Sequence, residues 1–218
     1  QKQFSNKQFN IFKHNSKIMK RILKNKKQEY LFDGISINSK KIKKTDLFIA
    51  IKGKNDDGHN YLPEVLKKGV KYSVVSKNAK NKSSLYKVSN TKVFLNKFAK
   101  IKRNLSNSKF IGITGSSGKT TVKTMIGNLL NIYEKTYFSP NSYNNHFGVP
   151  LSLSNMNIFH KFGVFEIGMS RPNEIYKLTA MVKPHIGIIT NISVAHLENF
   201  KNINGIAKAK SEIIYKIK

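Results

Sequence analysis

Cysteine and tryptophan are absent from the 218 residues, and arginine and the acidic residues are scarce. Without cysteine there is no disulfide scaffold, no zinc ribbon and no thiol catalysis. Arg21, Arg103 and Arg171 are the only arginines among 40 basic residues, and 11 acidic residues leave a formal charge of +29. Base readout and two-pronged phosphate contacts favour arginine over lysine, so no specific nucleic-acid partner is expected. No apolar run approaches the roughly 20 residues that a membrane span needs. The opening QKQFSNKQFNIFKHNSK lacks the apolar core and small-residue cleavage site of a secretory leader. A soluble, cytoplasmic protein with no membrane span is the expectation.

What is abundant is lysine, scattered through the chain beside many Asn and Ile. Two origins stay open: codon bias of an AT-rich genome, or a surface selected for a polyanion. Either way the charge would attract an anionic, phosphorylated substrate over a distance.

Residues 1–27 are polar and weakly patterned and read as a basic tail, a short helix or a remnant of upstream sequence. Residues 28–88 form a small α/β domain. LFDGISI, LFIAIKG and YSVV are short apolar runs between turn residues, hence strands. HNYLPEVLKKGV reads as a helix closed by Gly69. Residues 89–107 carry Val93, Phe94, Phe98, Ile101 and Leu105 on one helical face, a connector helix. From 108 to 218 strands and helices alternate: KFIGITG, KTTVKTMIGNLLNIY, KTYFS, KFGVFEIG, NEIYKLTAMV, HIGIITNI and INGIAKAKSEIIYKI. That order predicts a doubly wound, mostly parallel sheet. The chain starts on Gln and stops inside its last helix, so this second domain is expected to be incomplete.

The sharpest local signal is GITGSSGKTTVKTM, residues 112–125. A strand delivers a glycine loop to a helix start. Backbone N–H groups and the helix dipole can then cradle phosphates, Lys119 can reach the terminal ones, and Thr120 can bind Mg²⁺. The commonest phosphate-loop spacing would place a glycine at Ile113, whereas glycines stand at 112, 115 and 118; T-G-x-x-G-K-T-T is a variant form. Glu166 ends the strand GVFEIG, where ligands of open α/β sheets gather and where a carboxylate can hold a phosphate-bridging metal. His196 follows another strand end and is either a second metal ligand or structural. Lys208 and Lys210 in GIAKAKSEI say little by themselves in a lysine-rich chain. Asn144 and Asn145 in SYNNHFGVP precede an expected Gly-x-Pro turn and could serve turn chemistry alone.

Taken together, TGSSGKTT (114–121), NSYNNHFGVPLSL (141–153), FEIGMSRPNEI (165–175), PHIGIITNISVAHLENF (184–200) and GIAKAKSEI (205–213) resemble the Mur ligase family. These are ATP-dependent amide-bond ligases of peptidoglycan synthesis. SINSKKIKKTDLFIAIKGKNDDGHNYL (36–62) is similar to the uridine-nucleotide-binding domain of the family's two later ligases. The SYNNHFGVP and GMSRPNEI segments look like the ligase that adds D-alanyl-D-alanine to UDP-N-acetylmuramoyl-tripeptide. The resemblance implies a small UDP-binding domain followed by a phosphate-loop ATPase domain, acting as a monomer. It implies ATP and Mg²⁺ as cofactors. Gly115, Ser116, Ser117, Gly118, Lys119, Thr120 and Thr121 would wrap the phosphates. Asn144 and Asn145 would lie near nucleotide and substrate, while Thr120, Glu166, His196 and Lys210 would hold metal. Lys119, His196 and Lys210 are the implied catalytic set, with Lys210 carbamylated. Ser39, Lys40, Asp57, Gly58 and His59 would contact the uridine nucleotide. Two departures stand out: Asn38 where the family usually carries Asp, and Lys40 where it carries Arg. Lysine cannot make the planar two-pronged contact.

Three other readings stay open. One is the neighbouring ligase that adds the third peptide residue, from which residues 1–27 could descend. A second is a nucleotide- or UDP-sugar-binding fragment without ligase activity, and these residues alone are expected to be inactive. The third is a lysine-rich nucleic-acid binder.

Overall fold

The computed structural model describes residues 5–77, 84–194, 199–200 and 202–217. They form two compact units, Gln1–Lys102 and Arg103–Lys218.

The first unit opens with α1 (Asn6–Leu23), started by the Ser5 hydroxyl accepting from the Gln8 N–H at 3.3 Å. Where the sequence suggested a tail or a short helix, this helix runs 18 residues and buries Phe12, Ile18 and Met19. Its apolar pattern is weak because two core positions are polar. Asn15 donates to the Phe32 carbonyl at 3.0 Å, and Ser16 Oγ accepts from the Tyr30 N–H at 3.0 Å. Both therefore bury with partners, as buried polar groups must.

Four parallel strands follow: β1 (Gly34–Ser36), β2 (Asp46–Ile49), β3 (Tyr72–Val75) and β4 (Leu85–Lys87), in that spatial order. Ile35 pairs with Leu47, Leu47 with Tyr72 and Val74 with Tyr86. The single helix predicted before Gly69 is two pieces, a 3-10 turn (Gly58–Tyr61) and α2 (Leu62–Lys67). Pro63 sits in the first turn of α2, where no backbone donor is needed. Phe48, Ala50, Val65, Val70 and Val75 form the core between this helix and the sheet. The connector helix α3 (Thr91–Leu105) starts where Asn90 Oδ1 accepts from the N–H groups of Lys92 (2.9 Å) and Val93 (3.1 Å).

The second unit contains β5 (Lys109–Thr114), α4 (Lys119–Tyr133), β6 (Thr136–Phe138), α5 (Gly148–Asn155), β7 (Phe162–Glu166), α6 (Glu174–Val182), β8 (Ile186–Ile189) and α7 (Ile203–Ser211), then a 3-10 turn (Glu212–Lys216). Every pairing in the order β6-β7-β5-β8 is parallel. Strand alternation sorts the faces. Ile111, Ile113 and Val164 meet Val122, Ile126 and Leu130 of α4, while Phe110 and Phe165 stack at 5.7 Å on the other face. From β5 the chain crosses to β6 on one side and later reaches β8 on the other. The carboxyl end of β5 thus lies at a switch point, where such sheets bind ligands.

Helix α5 replaces the expected Gly-x-Pro turn. Pro150 lies early enough in it to be tolerated. Asn145 Oδ1 accepts from the N–H groups of Phe147 (3.0 Å) and Gly148 (2.9 Å) at its start. Gly148 is required by crowding, since a Cβ there would lie 2.6 Å from the Tyr143 backbone. Helix α6 is closed at both ends by distant residues. Buried Arg103 donates to the carbonyls of Val182 and Lys183 and lies over the Phe110 ring. The Glu212 carboxylate accepts from the N–H groups of Asn173 (2.8 Å) and Tyr176 (2.9 Å).

Candidate active site

The loop from Thr114 to Gly118 is shaped by two glycines with positive φ, Gly115 (+150°) and Gly118 (+75°). Gly118 precedes α4, and no side chain caps that helix start. At Gly115 any Cβ would fall 1.8 Å from Thr190 Oγ1, so the residue after β8 closes directly on the loop. Lys119 arches back, its ammonium donating to the carbonyls of Gly115 (2.8 Å) and Ser116 (3.2 Å). Thr121 is exposed in the first turn of α4.

Glu166 is the centre of the arrangement. Its register partner on β5 is Ile113, which puts its side chain on the face covered by α4. The residue is 1% exposed. Thr120 Oγ1 donates to Oε2 at 2.7 Å and Asn144 Nδ2 to Oε1 at 2.7 Å, and Thr120 Oγ1 also lies 3.3 Å from Ser142 Oγ. Lys123, itself 2% exposed, places Nζ 3.9 Å from Oε2 and donates to the Asn141 carbonyl. Burial pushes the Lys123 ammonium down, and Glu166 opposes that shift. A buried ammonium beside a buried carboxylate is what keeps either tolerable in a dry site. A hydroxyl and a carboxylate oxygen at the head of a phosphate loop are hard donors, and this set fits Mg²⁺.

Beside the loop is a cavity of about 520 Å³, lined among others by Gly115, Lys119, Asn144, Asn145 and Lys210. Lys210 is buried, and burial, reinforced by Lys119, pushes its ammonium down to about 8. Lys208 is exposed instead, so only one of the two candidate lysines faces this space. The paired asparagines divide their roles: Asn144 grips Glu166, whereas the Asn145 oxygen starts α5. His196 lies outside the described residues. Among the described residues no three His, Cys, Asp or Glu side chains cluster as a metal cage. His146, Ser170, Glu174 and Lys177 also line the cavity and did not stand out in the sequence. Lys123 was equally hidden, because in so lysine-rich a chain only burial distinguishes it.

In the first unit the expected nucleotide residues form two groups with different partners. Ser39 Oγ donates to Glu64 Oε2 (3.1 Å), and Lys68 donates to the carbonyls of Ser39 (2.6 Å) and Lys40 (3.3 Å). The Lys40 side chain is exposed. Asn38 Oδ1 accepts from the N–H groups of Lys40 (2.9 Å) and Lys41 (3.3 Å), the turn-closing work that an Asp oxygen would do there. Asp57 binds Lys77 through Oδ2 (2.6 Å) and His59 Nδ1 through Oδ1 (2.6 Å). Lys77 first, then His59, hold its carboxyl well below the usual range. His59 Nε2 accepts from the Ser76 N–H at 2.9 Å, which leaves the ring proton on Nδ1 facing Asp57. Gly58 is obligatory, since a Cβ would lie 2.8 Å from the Ile51 nitrogen. Asp57, Gly58 and His59 thus pin the 3-10 turn to the end of β3. Next to them Ser76, Lys52, Asn90 and Lys92 help line a cavity of about 370 Å³.

A parallel sheet with a glycine loop at a switch-point strand, a lysine over that loop, and a hydroxyl and carboxylate at its head define a phosphate-loop protein. Residues 31–116 match the Mur ligase family catalytic domain, and residues 113–218 match the Mur ligase middle domain. The chain belongs to the Mur ligase family. It is 41% identical over 181 residues to the UDP-N-acetylmuramoyl-tripeptide–D-alanyl-D-alanine ligase of Rickettsia prowazekii, covering 82% of this chain and 40% of that one. The Bacillus subtilis enzyme of the same name is 31% identical, with 88% and 42% covered. Among solved structures, MurF from Acinetobacter baumannii superposes with a TM-score of 0.81 at 30% identity, over 93% of this chain and 46% of that one. MurF from Thermotoga maritima, solved with ADP, gives 0.75 at 32% identity, over 88% and 45%. The chain spans about two fifths of the length of the curated relatives it matches.

Proposed function

We propose that the protein is an ATP-dependent amide-bond ligase of peptidoglycan precursor synthesis, acting in the cytoplasm. It would join D-alanyl-D-alanine to UDP-N-acetylmuramoyl-tripeptide. The observation that carries the reading is the convergence of Thr120 and Asn144 on buried Glu166, at 2.7 Å each, at the head of the Lys119 loop. The names of the relatives support the choice of substrates, and the ADP complex of the Thermotoga maritima protein supports the choice of nucleotide.

In the reaction the peptide's terminal carboxylate attacks the γ-phosphoryl group of ATP and releases ADP, leaving an acyl phosphate. The D-alanyl-D-alanine amine then attacks the acyl carbon and expels phosphate. Two anions must approach in the first step, so positive charge at the loop lowers the barrier. Lys119 supplies it and has only to swing from the carbonyls of Gly115 and Ser116 to reach a phosphate. Asn144 and Lys123 hold the Glu166 carboxylate in place. Glu166 and the Thr120 hydroxyl would hold Mg²⁺, which when bound neutralises phosphate charge. Lys210 sits in the same cavity as Lys119. With its ammonium down at about 8, more of it would be the free amine than in an ordinary lysine, the form that could add to CO₂ as a carbamate.

The test is phosphate release and amide product from ATP, Mg²⁺, UDP-N-acetylmuramoyl-tripeptide and D-alanyl-D-alanine, using protein from the complete reading frame. Activity with that dipeptide, and none with a free diamino acid on the dipeptide-level precursor, is expected. Lys119→Ala is expected to lower turnover by at least about a thousandfold, with an unchanged circular dichroism spectrum. Near-normal turnover in that variant rejects the assignment of the loop.

A further inference from the structure

The loop after β8 grips the tip of the phosphate loop. Asn191 Oδ1 accepts from two successive backbone amides, Ser116 N–H (3.1 Å) and Ser117 N–H (2.9 Å). Its Nδ2 donates to Ser117 Oγ at 2.7 Å, and its own carbonyl also accepts from the Ser116 N–H at 3.1 Å. On one flank Thr190 Oγ1 donates to the Ser117 carbonyl at 2.6 Å. On the other, Ser116 Oγ exchanges hydrogen bonds with the Ser193 backbone, 3.0 Å to the carbonyl and 3.0 Å from the N–H. Among the described residues Asn191 is thus the one side chain that answers both tip amides. Gly115 and Lys119 line the cavity beside the loop, whereas Ser116, Ser117 and Asn191 do not. The two tip amides are directed at Asn191, on the β8 side of the loop.

We propose that Asn191 is a positioning residue for the nucleotide: its carboxamide clamps the Ser116–Ser117 turn from the β8 side and keeps the phosphate loop in its binding shape before nucleotide arrives. This rests on the nucleotide reading above. A loop that must be ordered at the moment of binding loses affinity by the cost of ordering, and a pre-ordered one does not. Asn191 is solvent-exposed, so water replaces its bonds when it is removed and the rest of the fold is little affected. Its effect should fall on affinity rather than on stability.

The experiment is calorimetric titration of Mg²⁺-ADP and Mg²⁺-ATP into the protein, Asn191→Ala and Ser193→Ala, with melting temperatures and hydrogen exchange at the Ser116 and Ser117 amides. Asn191→Ala is expected to weaken nucleotide binding about tenfold, to speed exchange at both amides and to leave the melting temperature of the unliganded protein nearly unchanged. Ser193→Ala should do none of this, because both of its contacts to Ser116 run through its backbone. Unchanged affinity in Asn191→Ala overturns the proposal. So does tighter binding, which would mean that the carboxamide competes with phosphate for the tip amides. An equal loss in Ser193→Ala also overturns it, by showing mere sensitivity of the loop. If the unaltered protein binds no nucleotide, the phosphate-loop reading itself fails, and the exchange data still decide whether Asn191 clamps the loop.

Discussion

Lys102 shows how far a single buried charge can set the behaviour of a domain. Its ammonium is buried in the first unit, donates to Asn15 Oδ1 at 3.1 Å, and is pushed down to about 7 by burial. In the unfolded chain the same group titrates near the ordinary lysine value of about 10.4. Between those values the unfolded state binds one proton more than the folded state, so folding stability rises with pH across the window. Lys210, pushed down to about 8, adds a slope of the same sign over the upper part of that range. Urea midpoints measured from pH 7 to 9.5 should therefore climb, and Lys102→Met should flatten the climb, most clearly below pH 8. A midpoint that falls with pH, or a slope untouched by the substitution, would contradict this account.

At the scale of elements, the arrangement around α6 makes a second prediction. Asn173 at its start is in the left-handed region and offers no side-chain cap. Glu212, 39 and 36 residues further on, accepts from the amides of Asn173 and Tyr176 instead. Two charge-assisted bonds at a helix start are worth about 1–3 kcal/mol together. Glu212→Ala should cost about 2 kcal/mol in chemical denaturation and Glu212→Gln clearly less; equal costs would assign the effect to packing. Legibility in the sequence follows the same logic of local against distant partners. The β5–loop–α4 unit was readable, because strand, glycines, lysine and helix are contiguous and each has a local reason. The parallel sheet was readable from the alternation of elements. Helix α1 was not, since Asn15 and Ser16 break its apolar stripe and are satisfied by residues 29–33 and, for Asn15, by Lys102. Helix α5 was hidden by Pro150, and the early 3-10 turn by helix-like spacing. Glu166 could be placed at a strand end, but its partners Thr120, Asn144 and Lys123 come together only through the register of β5 and β7. The grip of Asn191 on the loop has no signature in either stretch alone.

For the whole molecule the governing quantity is a formal charge of +29 on 218 residues. Like charges packed into one fold repel, and the repulsion destabilises the compact state. Salt should relieve it, because the screening length falls from about 30 Å at 0.01 M to below about 10 Å above 0.1 M. The melting temperature should therefore rise by several degrees between about 0.01 and 0.3 M NaCl. No rise, or a fall, would mean that attractive pairs outweigh the excess of lysine. Few ion pairs among the described residues oppose it: Glu29, Asp57, Glu64 and Glu166 are matched by Lys20, Lys77, Lys68 and Lys123.

The stitching of the phosphate loop to the end of β8 also has a consequence in time. Ser116 and Ser117 meet Asn191 at sequence separations of 75 and 74. At a synthesis rate of 5–20 residues per second, the partner leaves the ribosome roughly 4–15 s after the loop. During that interval β5 and its glycines emerge without these partners, and the contacts to the loop form only once β8 and Asn191 have been made. The nascent chain thus cannot close the phosphate loop against Asn191 until residue 191 has been translated.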